Sequence, residues 1–382
     1  MKKVLFLQIK GKSKAGVWFV NKTIAEELIK KGYEVVILSI RDNPGDIVLE
    51  HDPKLILHTI NKKDLWEISK RKDVTSIKSL IKYLKEHMKL FLDFSKTKKF
   101  IHRYKPDYII TSHYQALDAV PKKFYSRTIN EQHSSMKDVK SNKSNYNKLM
   151  EYSKKIFCML WLSKTTKEEA DKLGFKNNHY IYNPIRFSTN KIANVKSNKK
   201  LVCITRIDEK QKRISLMLEI VKEVLANNPD WSFEIYGFGD FNSKSLKILN
   251  EEKNIKYMGS TNNPQKVLLN CSINLNTSVF EGFSLSILEA SMCGIPTITF
   301  DFGESVFEEI NDGINGYIIE DDNKKEYMNK LIYLMKNPQK LGKMSFECKE
   351  FSKNFLPSQI VNDWIELFNM IDANEKYQTK DN

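Results

Sequence analysis

Val4-Leu-Phe-Leu7, a loop from Gly11 to Gly16, a helical run through Phe19, Ile24, Leu28 and Ile29, then Gly32 and Tyr33-Glu-Val-Val-Ile-Leu-Ser-Ile40: these opening residues decide the fold class. The first apolar run is a buried strand. The spacing of the four apolar residues puts them on one face of a helix. Gly32 falls where a helix ends in a left-handed turn. The second apolar run is again strand. Strand, helix and strand within 40 residues is a crossover unit, and near-continuous apolar strands imply a parallel sheet covered on both faces.

The same rhythm continues outward. Strand-like runs follow at Pro106–Thr111, Ser126–Gln132 and Lys155–Leu162, each ending at a polar loop. Asn183-Pro184 closes this half, and the polar stretch from Arg186 to Lys200 reads as an interdomain linker. A second alternation has strands at Leu201–Thr205, Phe233–Tyr236, around Ile255, Ile273–Leu275, Thr297–Phe300 and Tyr317–Ile319. A last helical segment, Pro357–Ile371, carries Ile360, Trp364, Leu367, Phe368 and Ile371 on one side. The expected organisation is two doubly wound α/β domains, residues 1–187 and 188–355, with a C-terminal helix and tail over 356–382.

Composition agrees with a globular chain of about two domains: 382 residues, 41% hydrophobic and 29% charged. Five scattered cysteines with no C-x-x-C pair suggest neither a disulfide framework nor a zinc cluster, which fits a reducing cytoplasm. The first ten residues hold too short an apolar run for a signal peptide. No stretch has the roughly 18 apolar residues of a membrane span. The reading is a cytoplasmic protein, soluble or peripheral on the inner face of the membrane. Charge is divided unequally: residues 1–190 carry 38 Lys and Arg against 20 Asp and Glu, and residues 191–382 carry 24 against 27. A strongly basic half points to an anionic partner, whether membrane lipid, acidic polymer or nucleic acid, with a lysine-rich solvated surface as the plain alternative. Nucleic acid is not expected, since aromatic and basic residues are not interleaved.

Residues 62–105 hold 14 Lys and Arg against five acids. Ile77, Leu80, Ile81, Leu84, Met88, Phe91 and Leu92 recur at helical spacing, with Lys78, Lys82, Lys85 and Lys89 mostly on other faces. The ordinary arrangement packs the apolar face on the sheet and leaves the lysines in water. The other lays that face on an anionic membrane.

Ligands of open parallel sheets bind beyond the carboxyl ends of strands. The richest such place follows Ile273-Asn-Leu275: Asn276-Thr-Ser-Val-Phe-Glu281-Gly-Phe-Ser-Leu-Ser-Ile-Leu-Glu289-Ala-Ser-Met-Cys-Gly294-Ile-Pro296. A helix starting near Ser284 leaves the N–H groups of Phe283, Ser284 and Leu285 free for a pyrophosphate. Gly282 permits close backbone approach. Glu289, about one turn into the helix, can reach a second part of the same ligand.

Glu281 and Glu289 form an E-x7-E pair inside E-G-F-S-L-S-I-L-E-A-S-M-C-G-I-P, which closely resembles the motif of glycosyltransferase family 4. The resemblance implies the GT-B fold, two Rossmann-like domains facing across a cleft, with the C-terminal helix able to return to the first domain. It also implies a retaining, metal-independent hexosyltransferase with no cofactor. A UDP-sugar, UDP-glucose or UDP-N-acetylglucosamine, would be bound by the second domain. By that resemblance Glu281 holds sugar hydroxyls near the reacting centre and Glu289 the ribose. Arg206 and Lys212 neutralise the diphosphate together with the amides after Gly282; Lys210 lies near the same spacing. Gly16 would belong to a glycine loop in the first domain, where Ala15 replaces a common second glycine. His133 would contact the transferred sugar, with His113 a second histidine on the same predicted edge. Tyr236-Gly-Phe-Gly-Asp240 is either a nucleotide-lining loop or a plain tight turn. The acceptor is expected to be an anionic or membrane-linked glycan such as teichoic acid, a lipid-linked oligosaccharide or a capsule precursor. A protein acceptor, or a non-catalytic GT-B partner subunit, is the alternative.

Overall fold

A computed structural model describes residues 1–10, 16–42, 50–62, 76–303 and 305–374, with the backbone of the last helix running on to Gln378. The glycine loop 11–15 and the first part of the basic segment, residues 63–75, lie outside the described residues.

The chain divides into two compact units: residues 1–133, 139–184 and 357–382 form one, residues 134–138 and 185–356 the other. The first contains a sheet of seven strands: β1 (Lys3–Lys10), β2 (Glu34–Arg41), β3 (Ile56–Asn61), β4 (Tyr108–Thr111), β5 (Thr128–Gln132), β6 (Cys158–Trp161) and β7 (Asn178–Tyr180). Their order across the sheet is β3-β2-β1-β4-β5-β6-β7, and every pairing is parallel. The second contains β8 (Lys200–Ile204), β9 (Ser232–Tyr236), β10 (Ile255–Tyr257), β11 (Ile273–Asn276), β12 (Thr297–Phe300) and β13 (Gly316–Ile319). These run β10-β9-β8-β11-β12-β13, again all parallel. Both orders reverse direction once, between β1 and β4 and between β8 and β11. Strands on either side of that reversal carry their crossover helices on opposite faces, so the loops beyond them part and leave a crevice.

The apolar strands are buried because helices cover both faces. Val4 to Leu7 of β1 are wholly inaccessible, as are Leu201 and Val202 of β8. The helix Ile214–Ala226 turns Ile214, Met217, Leu218, Val221, Val224 and Leu225 inward. The last helix, Pro357–Gln378, packs within the first unit although the whole second unit precedes it in the chain. Trp364 lies against Phe6, and Phe368 stacks on Tyr108 with ring centroids 4.1 Å apart. Asp372 accepts a hydrogen bond from the Tyr108 hydroxyl at 2.9 Å and pairs with Lys2.

Two expectations need correction. The polar stretch after Pro184 is not a free linker. Ile185 N–H donates to Phe355 O, Ala193 N–H donates to Cys293 O, and the segment runs across the second unit. The helix Ile77–Tyr104 does not pack through its apolar stripe either. Glu86, Asp93, Thr97 and Ile101 are its buried residues, while the seven apolar residues between Ile77 and Leu92 are exposed. A buried ion pair decides the orientation: Asp93 receives Arg41 Nε at 3.0 Å and Asn61 Nδ2 at 3.2 Å. A carboxylate paired in this way holds its face inward, and the opposite face must turn outward.

Candidate functional site

The second unit gathers polar residues where β8 and β11 part. Beyond β8 the chain continues through Thr205, Arg206 and Ile207 to a short helix, Glu209–Lys212, capped by the Asp208 side chain. Arg213 then adopts left-handed backbone, φ 49°, and turns the chain into the helix Ile214–Ala226. Beyond β11 the loop from Thr277 to Gly282 leads to the helix Leu285–Met292.

These two loops are hydrogen-bonded together. Val279 N–H donates to Gln211 O at 2.8 Å, Thr277 Oγ1 donates to Lys212 O at 2.6 Å, and Gln211 Nε2 donates to Phe280 O at 3.0 Å. Arg213 donates through Nε to Thr277 O at 2.7 Å, pairs with Asp321 at 2.7 Å and lies over the Phe300 ring. Arg213 is thus committed to the scaffold.

Glu281 stands at the centre of this assembly. Its carboxylate pairs with Lys212 Nζ and accepts from Ser278 Oγ at 2.7 Å, with Gln211 Nε2 at 3.4 Å. Both partners of the ion pair are mostly buried, with 11% of the Glu281 side chain and 16% of the Lys212 side chain exposed. Lys210 is exposed, so of the two candidate lysines it is Lys212 that reaches the glutamate. Arg206 is half exposed and donates to Gln211 Oε1 at 2.7 Å, with Asp208 at 3.6 Å.

The glycine pair after β9 explains how Arg206 is placed. Gly237 and Gly239 have φ of 154° and 127°. A Cβ on Gly237 would come within 1.7 Å of Thr205 O, and one on Gly239 within 2.2 Å of Ile207 O. Thr205 N–H donates to Tyr236 O and Ile207 N–H to Phe238 O. The Tyr236–Asp240 stretch therefore extends the β8–β9 pairing rather than forming a tight turn, and it clamps the backbone on both sides of Arg206.

Glu289 is buried, with both carboxylate oxygens held by Arg186. Nε of the guanidinium pairs with Oε1, and Nη2 donates to Oε2 at 2.6 Å. Burial works against the charge on Arg186, but Glu289 beside it raises the pKa of the guanidinium above its ordinary value. Arg186 was not singled out in the sequence. The available signal was Glu289 itself, a carboxylate within a mainly apolar helix, which demands a cation once buried.

The helix start corrects a further expectation. The Ser284 N–H is not free: it donates to Glu309 Oε2 at 3.0 Å, and Ser305 Oγ donates to Oε1 at 3.0 Å. Glu309 is fully buried, which pushes its pKa up to about 8 against the opposing effect of those hydrogen bonds. Burial thus favours the protonated form of the group beneath Ser284. Phe283 packs its buried ring against Phe355, and Gly282 and Leu285 are partly exposed at the loop and at the first helical turn. At the other end of this helix, Lys349 Nζ donates to Met292 O at 2.8 Å.

The remaining candidates lie in the first unit. His133 follows β5, with Nε2 3.0 Å from Oε2 of buried Glu131. His113 is exposed and its Nδ1 accepts from Gln115 N–H at 3.2 Å, capping the 3-10 helix Tyr114–Ala119. Gly16 opens the helix Gly16–Lys30. Where β1 and β4 part, Asn21 Nδ2 donates to Ser112 Oγ at 2.8 Å and Gln8 Nε2 to Ser39 Oγ at 3.1 Å, a buried polar group with no sequence motif to announce it. Among the described residues no cluster of His, Cys, Asp and Glu is arranged to hold a metal ion.

Residues 198–337 match the family described as glycosyl transferases group 1. The chain is 31% identical over 162 residues to the poly(ribitol-phosphate) alpha-N-acetylglucosaminyltransferase of Staphylococcus aureus, covering 41% of this chain and 33% of that protein. It is 29% identical over 187 residues to the poly(glycerol-phosphate) alpha-glucosyltransferase of Bacillus subtilis, covering 47% of this chain and 27% of that one. These alignments thus span about a third of each relative's length. In fold, 97% of the chain superposes on all of an S. aureus TarM variant crystallised with fondaparinux, alpha-GlcNAc-glycerol and UDP, with a TM-score of 0.76 and 17% identity. The fold is accordingly of the GT-B class, two Rossmann-like units in one chain.

Proposed function

We propose that this chain is a retaining glycosyltransferase that moves a hexose or N-acetylhexosamine from UDP-glucose or UDP-N-acetylglucosamine to a polyol-phosphate or other anionic glycan. The observation that carries this reading is the Lys212–Glu281 pair at the parting of β8 and β11, with Arg206 bonded to the same Gln211 that reaches Glu281 and the helix Leu285–Met292 following in the chain. An incoming diphosphate offers Lys212 a stronger partner than Glu281, and Arg206 a stronger one than the Gln211 amide. Exchange of that partner neutralises the leaving group as the glycosidic bond breaks. It also releases Glu281, still aimed by Ser278, to accept from sugar hydroxyls. Glu289 would take the ribose hydroxyls by sharing its oxygens with Arg186. With fixed cations in place the proposed mechanism uses no metal. The acceptor class rests on the relatives that act on poly(ribitol phosphate) and poly(glycerol phosphate), and on the basic first half of the chain.

The test is a panel of nucleotide sugars screened by thermal stabilisation. A donor at about 100 times its dissociation constant adds roughly 2.7 kcal/mol. The donor that stabilises is then supplied with poly(glycerol phosphate), poly(ribitol phosphate) and a serine-rich peptide, and the product's anomeric configuration is read by NMR. Transfer to a polyol phosphate with an α linkage, lost in Glu281→Ala, is the expected result. Transfer to the peptide alone would replace the acceptor class. No stabilisation by any nucleotide sugar, with no turnover, would refute the enzyme reading.

A further inference from the structure

We infer that the first half of the helix Ile77–Tyr104 is a membrane-surface element that lies in the headgroup region of an anionic bilayer. The inference concerns the first unit alone and does not depend on the reading of the glutamate site. At about 100° per residue, Ile77, Leu80, Ile81, Leu84, Met88, Phe91 and Leu92 form one stripe about 120° wide. All seven are exposed, Ile77 by 78%, Phe91 by 71% and Met88 by 65%. An isolated exposed leucine needs no explanation, but seven in one stripe is a patch that calls for an apolar partner.

The opposite face is fixed. Glu86 and Asp93 are buried, and Asp93 is tied to Arg41 and Asn61 of the sheet. Rotating the helix to hide the stripe would break that ion pair, so the exposure is built into the fold.

The charges identify the occupant. Between residues 76 and 105 there are nine Lys and Arg, all exposed, and two acids, both buried. Lys78, Lys82, Lys85 and Lys89 line one flank of the stripe, within about 80° of its edge. The surface thus combines an apolar strip with cations and offers no anion. A second copy of this chain would bring the same cations against their like. A neutral apolar protein surface would leave the lysines unmatched. Anionic lipid satisfies both, with headgroups for the ammonium groups and acyl chains for the stripe. Among the described residues no helix is long and apolar enough to cross a membrane, so the element lies on the bilayer.

The experiment is co-sedimentation of the full chain with phosphatidylcholine vesicles containing about 30% phosphatidylglycerol, and with pure phosphatidylcholine, at low and physiological salt. The wild-type chain is expected to bind the anionic vesicles at least tenfold more tightly than the neutral ones. Leu84→Glu with Phe91→Glu, and separately Lys78, Lys82, Lys85 and Lys89 all changed to Gln, should each weaken binding at least tenfold. Both variants should keep the wild-type melting temperature, since every altered side chain is exposed. Absence of wild-type binding to anionic vesicles at low salt would overturn the inference. So would loss in the lysine variant with full binding retained by the Leu84/Phe91 variant, which would mark a plain polyanion site. A lipid-free dimer in light scattering, dissociated by Phe91→Glu, would assign the stripe to a second copy instead.

Discussion

At Lys212 two anionic partners compete for one ammonium group: the Glu281 carboxylate within the protein and, on the proposed function, the diphosphate of the donor. The competition separates the roles of the pair. Removing Lys212 deletes a charge-assisted contact worth about 1.5–3 kcal/mol, so Lys212→Ala is expected to weaken UDP binding about 10- to 100-fold in calorimetric titration. Glu281→Gln removes the competitor, so UDP should bind as tightly as before or more tightly while turnover falls. Weaker UDP binding in Glu281→Gln would show that Glu281 holds the nucleotide rather than the sugar. Nearby, Glu309 gives a pH signature. Its folded pKa of about 8 lies above the ordinary glutamate value of 4.5. Between those values the folded protein keeps a proton that the unfolded chain releases, so this group's contribution to stability falls as pH rises through that window. Glu309→Gln can still accept from Ser284 and carries no charge. Its melting temperature relative to wild type should therefore climb between about pH 5 and pH 8, and a constant difference would show that Glu309 is ionised when folded.

Among the elements, the loop after β9 shows what sequence can and cannot disclose. Gly-x-Gly was visible in Tyr236–Asp240, but its purpose was not, because the partner strand end at Thr205–Ile207 lies some thirty residues away. Gly237→Ala forces a Cβ onto Thr205 O and must push apart the backbone that carries Arg206. The cost of such overpacking is about 1–3 kcal/mol, and UDP affinity should drop with it. Gly313 provides the control: its φ is 72° but the space around it is open, so Gly313→Ala brings only backbone strain of about 1–2 kcal/mol and should leave UDP affinity unchanged. Equal affinity loss in both variants would mean that the β9 loop does not position Arg206. The strands that escaped prediction have a similar explanation. β3 and β7 are sheet edges, only partly buried, and their sequences Ile-Leu-His-Thr-Ile-Asn and Asn-His-Tyr lack the continuous apolar run that marks the central strands. Helical periodicity in residues 77–92 was read correctly as a pattern. Which face turned inward depended on the Arg41–Asp93 pair, a contact across 52 residues that periodicity does not encode.

For the molecule as a whole, the α/β order was legible because each crossover is local, whereas closure of the first unit by the last helix is not. Ile360, Trp364, Phe368 and Ile371 mark a buried face, yet nothing in their spacing says which unit they cover. The structure assigns them to the first unit, with Trp364 fully buried beside Phe6. Truncating a buried aromatic of that size costs about 3–5 kcal/mol. Trp364→Ala should accordingly lower the unfolding transition of the first unit, although position 364 lies beyond the whole of the second. On the proposed function UDP binds the second unit, so its stabilising effect should survive the substitution. Calorimetry with and without UDP checks both statements in one experiment: the transition lowered by Trp364→Ala should be one that UDP does not raise. If UDP instead loses its effect in this variant, the last helix supports the nucleotide-binding unit as well. The division of the chain at residue 356 would then not be a division of stability.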